Sequence, residues 1–310
     1  MDLEVSVVIP SRDGGERLLE VLRALEVQRA APAFEIVIAD DGSTDGTPER
    51  VGRLELGRPL RVASGPPRGP AAARNRGIAA ARAPRLALLG DDTIPEPDWL
   101  AAHQRAWRAH GGGEEIAVIG YTGWHPRLRP DRFLRFLNEQ GLQFGFGLID
   151  NPDRVPFNFF YTSNLTVSRR LLVAEPFDER FPYAAWEDIE VSYRLARHGL
   201  RIVYARDARV LHDHPTDYRR FATRQERAGY AAVLFWQRHP ELGGFLGISP
   251  QGPPAVASPV VRRLRDGLVR ALQPFPLEPR ALWRKALADH YAKGVRRAWA
   301  ERVALPGGER

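Results

Sequence analysis

The run Leu86-Ala87-Leu88-Leu89 is followed at once by Gly90-Asp91-Asp92. A short, wholly apolar run bounded by glycine reads as a buried strand, and such strands belong to sheets covered on both faces. Two adjacent carboxylates at the end of that strand repel each other and resist leaving water. A divalent cation offsets the repulsion, and hard cations such as Mg²⁺ and Mn²⁺ take oxygen ligands. Asp91-Asp92 therefore reads as a site for a metal and a diphosphate. A second run, Phe34 to Ala39, ends in the same way in Asp40-Asp41-Gly42-Ser43.

Strand and helix signals alternate around these runs. Glu4 to Pro10 reads as a first strand, and Leu18, Leu19, Leu22 and Leu25 have helical spacing within Arg17–Arg29. Thr47 reads as an N-cap before Pro48, and Pro70 opens an Ala-rich helix to about Arg82. Leu60 to Val62 and Ile116 to Tyr121 read as further strands, with a helix from Pro97 to about His110. This alternation predicts a mostly parallel, three-layer α/β sheet, with ligands beyond the carboxyl ends of its strands. The Pro-, Arg- and aromatic-rich stretch 123–156 reads as an irregular, substrate-facing insertion. Phe157 to Val167 regains strand character, Glu187 to His198 reads as a helix, and Arg201–Tyr204 and Ala208–Leu211 as short strands. Helices are expected over Tyr218–His239, Val260–Leu272 and Pro279–Val303, with a Pro/Gly-rich linker at 249–258.

Composition narrows the classes. With no cysteine among 310 residues, disulfides and thiolate metal sites are excluded. The net charge of +7 suits an anionic substrate or surface, but no nucleic-acid-binding motif accompanies it. No apolar stretch approaches the ~18 residues of a membrane span, and the N-terminus has no signal-peptide layout. The expected location is cytoplasmic, with peripheral contact at the inner face of the cell membrane as a further reading. That contact would run through basic residues between Arg262 and Arg297, interleaved with Leu and Trp.

Further clusters carry candidate chemistry. Pro10-Ser11-Arg12 ends the first strand in a turn. Asp40 suits a base N–H or ribose hydroxyls, while Asp41 and Asp45 also read as turn and cap residues. Arg74 and Asn75 lie in a small-residue helix, where Arg suits phosphate and the alternative is close helix–sheet packing. Trp186-Glu187-Asp188 opens a helix beside aromatic residues. Acids are favourable there in any case, which accounts for one of them; a pair beside aromatics that exclude water also suits a general base. His212, at a strand end, is a candidate metal ligand, with His214 a weaker one.

Taken in order, these motifs resemble the family 2 glycosyltransferases of the GT-A fold. The likeness covers about residues 3 to 215. It is carried by the Val-Ile-Pro strand, Asp40 to Asp45, Ala72-Ala73-Arg74-Asn75-Arg76-Gly77, Asp91-Asp92, Glu187-Asp188-Ile189-Glu190 and His212. It implies a Rossmann-like catalytic domain over 1–215, with 1–122 holding the nucleotide-sugar and 123–215 the acceptor, then a basic helical extension over 216–310. It further implies metal-dependent, inverting transfer from a nucleoside-diphosphate sugar of the UDP, GDP or dTDP type to a glycan or lipid-linked acceptor. Asp92 and His212 would hold Mn²⁺ or Mg²⁺. Asp188, with Glu187, would be catalytic. Pro10, Ser11, Arg12, Asp40, Asp41, Arg74, Asn75 and Asp91 would face the nucleotide-sugar, and Trp124, Phe160 and Trp186 the acceptor. One departure is Gly90, where the family's Asp-x-Asp pattern begins with Asp.

Two other readings compete. A sugar-1-phosphate nucleotidyltransferase would carry a Gly-rich phosphate loop after the first strand, and Ser11 to Arg17 matches that faintly. A non-catalytic nucleotide- or sugar-binding module would not need Asp92, Asp188 and His212 together.

Overall fold

The computed structural model describes residues 2–273 and 275–301. The chain divides into two compact units: Met1–Pro130, Asn138–Glu179 and Glu187–Pro215 form the first, and Asp131–Leu137, Arg180–Trp186 and Thr216–Arg310 the second.

The first unit is built on one mixed sheet. Its strands are β1 (Val5–Ser11), β2 (Phe34–Asp40), β3 (Leu60–Ser64), β4 (Arg85–Leu89), β5 (Thr93–Pro95), β6 (Ile116–Trp124), β7 (Asn164–Ser168) and β8 (Arg201–His212). Their order is β3-β2-β1-β4-β7-β6-β8-β5. Strands β1 to β4 are mutually parallel; β7 is antiparallel to both β4 and β6, and β8 runs parallel to β6. Consequently β1, β2, β4, β6 and β8 all deliver their carboxyl ends to one edge of the sheet. The expected α/β class with a mostly parallel sheet is what the structure has.

The helices are α1 (Gly15–Glu26), α2 (Thr47–Gly52), α3 (Pro70–Ala80), α4 (Trp99–Ala109), α5 (Arg132–Glu139), α6 (Arg169–Ala174), α7 (Glu187–Arg197), α8 (Tyr218–Arg238), α9 (Gly243–Leu246), α10 (Pro259–Leu272) and α11 (Arg280–Ala300). Side chains of a strand alternate between faces. Val5, Val7 and Ile9 accordingly pack with Leu18, Leu22 and Leu25 of α1 and Trp99 of α4. Val8 joins Ala71 and Ile78 of α3, Leu172 of α6 and Val191 of α7 on the opposite face.

Several local expectations are corrected. The stretch 123–156 contains α5, whose Phe133, Leu134, Phe136 and Leu137 are buried. Phe157–Phe159 is a 3-10 turn, and the strand starts only at Asn164. The two short strands after Arg201 are one strand, β8, with a register shift between Gly120 and Tyr121 of its neighbour β6. Thr47 is the first residue of α2 rather than its cap: its hydroxyl accepts from the Gly15 N–H at 2.9 Å and donates to Asp45 at 2.7 Å. The expected helix end at Val303 lies outside the described residues.

The register shift has a cause in Asn164, which is fully buried. Its Oδ1 accepts from Trp99 Nε1 at 2.7 Å and from His103 Nε2 at 2.8 Å. Its Nδ2 donates to the carbonyls of Tyr121 (3.0 Å) and Ala208 (2.9 Å). An acceptor oxygen at Nε2 fixes the proton there, and burial holds His103 neutral, its pKa pushed down to about 4. The amide needs space beside β6: a Cβ at Gly120 would lie 2.3 Å from Ala208 O and 2.5 Å from Asn164 Nδ2. One side chain thus ties β7, β6, β8 and α4 together with all its hydrogen-bonding capacity used. Asn164→Leu keeps the volume and strands buried donors and acceptors at about 1–3 kcal/mol each. Chemical denaturation of that variant is expected to show a loss of at least about 3 kcal/mol; an unchanged midpoint would remove Asn164 as the tie.

Candidate active site

The carboxyl edge of the sheet gathers Ser11 (end of β1), Asp40 (end of β2), Asp91-Asp92 (after β4), Trp124 (end of β6) and His212 (end of β8). Open α/β sheets bind ligands at this edge. Registers fix the neighbours: Ser11 pairs with Asp40, and Trp124 with His212.

Asp91 and Asp92 are adjacent, and their surroundings treat them differently. Asp92 Oδ2 lies 3.1 Å from His214 Nδ1 and 3.5 Å from His212 Nε2. Burial works to raise its pKa, but the two imidazoles outweigh it and hold Asp92 well below the usual carboxylate range. Asp91 is hydrogen-bonded to no imidazole among the described residues, and Arg17 and His214 lower it only weakly. Burial first, and then the Asp92 charge, push it up to about 7, against the opposing hydrogen bond from the Ser11 hydroxyl at 2.7 Å. Behind them, the Asp213 N–H donates to the Asp92 carbonyl at 2.7 Å. The Asp213 carboxylate is held by Arg127, which also bonds Glu20 of α1. This brace steadies the end of β8, and the sequence reading missed it.

Glu187 and Asp188 repeat the arrangement. Glu187 is buried and accepts from Arg74 Nη1 at 2.7 Å, while the Arg74 guanidinium also lies 5.5 Å from the Phe177 ring centroid. Asp188 is without its own cation. Burial and the Glu187 charge push it up to about 7, although the Ile189 and Thr162 backbone N–H groups donate to it. Thr162 leads through Ser163 to Asn164, and Ser163 O accepts from the Gly90 N–H at 3.4 Å. The segment 162–164 therefore links the Asp188 carboxylate to the strand end that carries Asp91 and Asp92.

Other expected site residues have varied surroundings. Asp40 is buried at its strand end, with Oδ1 accepting from the Ser43 N–H at 3.1 Å. Asp41 receives the N–H groups of Arg68 and Gly69, each at 2.9 Å, and so pins the loop that enters α3. Asn75 holds the chain at 177–179: its Nδ2 donates to Phe177 O and Glu179 Oε1, and its Oδ1 accepts from the Phe177 N–H. Arg12 is exposed beside Asp13, and Pro10 is half-buried in β1. Trp124 packs against His212, ring centroids 5.4 Å apart, and against Phe144 at 5.9 Å. Phe160 is a correction to the acceptor reading: its ring is fully buried among Val8, Leu88 and Leu165 and has no free face for a sugar. Trp186 belongs to the second unit, where its Nε1 donates to Ala228 O at 3.0 Å and its ring meets Phe235 and Phe245.

Gly90 is explained by its surroundings. A Cβ there would lie 2.5 Å from Thr93 Oγ1, whose hydroxyl donates to the Gly90 carbonyl at 2.8 Å. An acid at position 90 would have to displace Thr93 from the turn.

Among the described residues no group of three or more His, Asp or Glu is gathered as a complete metal site. Asp92 and His212 nonetheless bring a carboxylate and an imidazole to within 3.5 Å of each other, donor types that would suit a divalent cation. His212 Nδ1 is buried with no partner, as are Trp124 Nε1, Thr122 Oγ1 and Ser163 Oγ. Buried polar atoms without partners are uncommon, and here they line the same edge as the acids.

Residues 6–166 match the family model for glycosyl transferase family 2. The uncharacterized glycosyltransferase YfnE of Bacillus subtilis is 26% identical over 264 residues, covering 69% of this chain and 66% of its own. Validoxylamine A glucosyltransferase of Streptomyces hygroscopicus subsp. limoneus is 30% identical over 230 residues, covering 66% of this chain and 50% of that enzyme. The chain thus spans between half and about two thirds of these curated relatives. Among solved structures, the mannosyltransferase PcManGT from Pyrobaculum calidifontis in complex with GDP-Man and Mn2+ shares the fold with a TM-score of 0.61 at 18% identity, covering 97% of this chain and 88% of that one. S. aureus TarS 1-349 in complex with UDP does so with a TM-score of 0.58 at 17% identity, covering 97% of this chain and 92% of that one.

The Arg74–Glu187 pair yields a stability test. Removing one partner of a buried ion pair costs about 3–5 kcal/mol, because the other charge is left unpaired, whereas removing both is nearly neutral. Arg74→Met is therefore expected to lower unfolding stability by that amount, and Arg74→Met/Glu187→Met to recover most of it. Equal stability of the parent and Arg74→Met would show that the pair is solvated in solution.

Proposed function

Since the chain belongs to glycosyl transferase family 2, we propose that it transfers a sugar from a nucleoside-diphosphate sugar to a hydroxyl of a glycan or lipid-linked acceptor. One observation carries the reading: two adjacent acid pairs joined by the segment 162–164, each with a nitrogen base against one member, Arg74 on Glu187 and the two imidazoles on Asp92. The neighbours solved with UDP and with GDP-Man and Mn2+ support a nucleotide-sugar donor and a divalent cation.

In this reading the donor lies along the carboxyl edge of the sheet. Asp40 accepts hydrogen bonds from the base or ribose, and Ser11, Arg12 and Asp91 border the nucleotide. A cation held by Asp92 and His212 would offset the negative charge of the diphosphate as it departs. Asp188 takes the proton of the acceptor hydroxyl. The freed oxygen bonds to the anomeric carbon from the side opposite the diphosphate, and the nucleoside diphosphate leaves with the electron pair of the broken C–O bond. Glu187 is occupied by its hydrogen bond from Arg74, which leaves Asp188 as the carboxylate that receives the proton. Trp124 offers an aromatic face at the rim for the acceptor.

A base acts only when deprotonated, so an Asp188 carboxyl raised to about 7 leaves the enzyme active above that pH and increasingly silent below it. The expected kcat/KM falls tenfold per pH unit on the acid side of about 7 and is level above it. Asp188→Asn should reduce turnover by on the order of 10²–10⁴-fold with nucleotide affinity retained. Full turnover by that variant, or a profile flat from pH 5 to pH 8, would remove Asp188 as the base.

A further inference from the structure

Among the described residues of the second unit, one helix face is left without a partner, and the transfer reaction does not explain it. On α10, Val260, Leu264 and Leu268 recur every four residues with exposures of 66%, 67% and 49%. Val261, Gly267 and Ala271 fall between them, so an arc of about 120° of this helix is wholly apolar and faces solvent. Phe275 and Leu277, just beyond the helix, are exposed as well. Runs of exposed apolar residues on one helix face mark interaction surfaces.

The inward side of α10 is accounted for. Val269 is buried, Arg265 is paired with Asp289 of α11, and Asp266 accepts from the Tyr218 hydroxyl of α8 and lies 3.2 Å from His290. The helix is therefore seated on its polar and mixed side and presents its apolar stripe outward, the reverse of a helix that contributes to a core.

Charge selects the occupant. Between residues 259 and 300 there are ten Lys and Arg and three Asp and Glu, a surplus of seven that equals the net charge of the whole chain. Arg263 and Arg270 flank the stripe on its exposed margin, and the only acid of the helix, Asp266, is turned inward. A second copy of the chain would bring arginine margin against arginine margin. An anionic lipid surface answers both features, since acyl chains take the Val and Leu side chains and phosphate headgroups the guanidinium groups. From this combination we infer that α10 lies in the plane of an anionic membrane, with Val260, Leu264 and Leu268 inserted at the headgroup boundary. The inference is independent of the transfer chemistry.

Co-sedimentation with vesicles tests it. The full chain is expected to bind vesicles of equal parts phosphatidylcholine and phosphatidylglycerol, and to remain in solution with pure phosphatidylcholine. Leu264→Asp/Leu268→Asp should weaken that binding by at least about tenfold, since it removes apolar burial and adds repulsion. Arg263→Glu/Arg270→Glu should weaken it by a similar factor, with an unchanged melting temperature in both variants. No binding by the parent to the anionic vesicles, or equal binding by the Asp variant, would overturn the inference. So would equal binding to pure phosphatidylcholine, or a parent dimer in light scattering that the Asp variant dissolves.

Discussion

Adjacent carboxylates cannot both be ionised cheaply once they leave bulk water, and the first unit carries two such pairs. Each pair resolves the conflict in the same way. His212 and His214 face Asp92, and Asp91 is left raised to about 7. Arg74 bonds Glu187, and Asp188 is left raised to about 7. Two different kinds of nitrogen base, a guanidinium and a pair of imidazoles, thus make the two members of each pair unequal. Pairs of acids pushed apart in this way are the usual basis for dividing charge stabilisation from proton transfer in one site.

The rest of the first unit holds these pairs in place. Parallel strands bring Ser11, Asp40 and Asp91-Asp92 to one edge, and β8 brings His212 to the same edge through its parallel pairing with β6. The antiparallel strand β7 separates the two parallel groups and starts at Asn164, where the segment 162–164 reaches Asp188. A rigid start to β7 is therefore a condition for the site, and the four hydrogen bonds of the Asn164 amide supply it. Asn75 and Asp41 do comparable work at the two ends of the α3 region, one fixing residues 177–179 and the other the loop at 68–69.

Much of this was legible in the sequence because strands buried on both faces are continuous apolar runs. Val5 to Ile9, Phe34 to Ala39 and Leu86 to Leu89 stand out for that reason, and the acids that end them stand out by contrast. What was hidden depends on partners distant in sequence. Nothing near Asn164 announces Trp99, His103 or Ala208, and nothing near Arg74 announces Glu187, 113 residues away. Helix α5 was masked by the prolines and arginines around it, although Phe133, Leu134, Phe136 and Leu137 had helical spacing. Phe160 shows the opposite error: an aromatic side chain beside a site reads as a sugar platform, but exposure decides, and here the ring is enclosed.

In the proposed function, the edge formed by Asp40, Asp92 and His212 binds a nucleoside diphosphate together with a divalent cation. Calorimetric titration with UDP, GDP, dTDP and CDP, each with and without Mn²⁺, tests it most directly. One nucleotide is expected to bind tightly, with an affinity that depends on the metal. Binding by none of the four to folded protein, or binding indifferent to Mn²⁺, would contradict it and return Asp92 and His212 to structural roles.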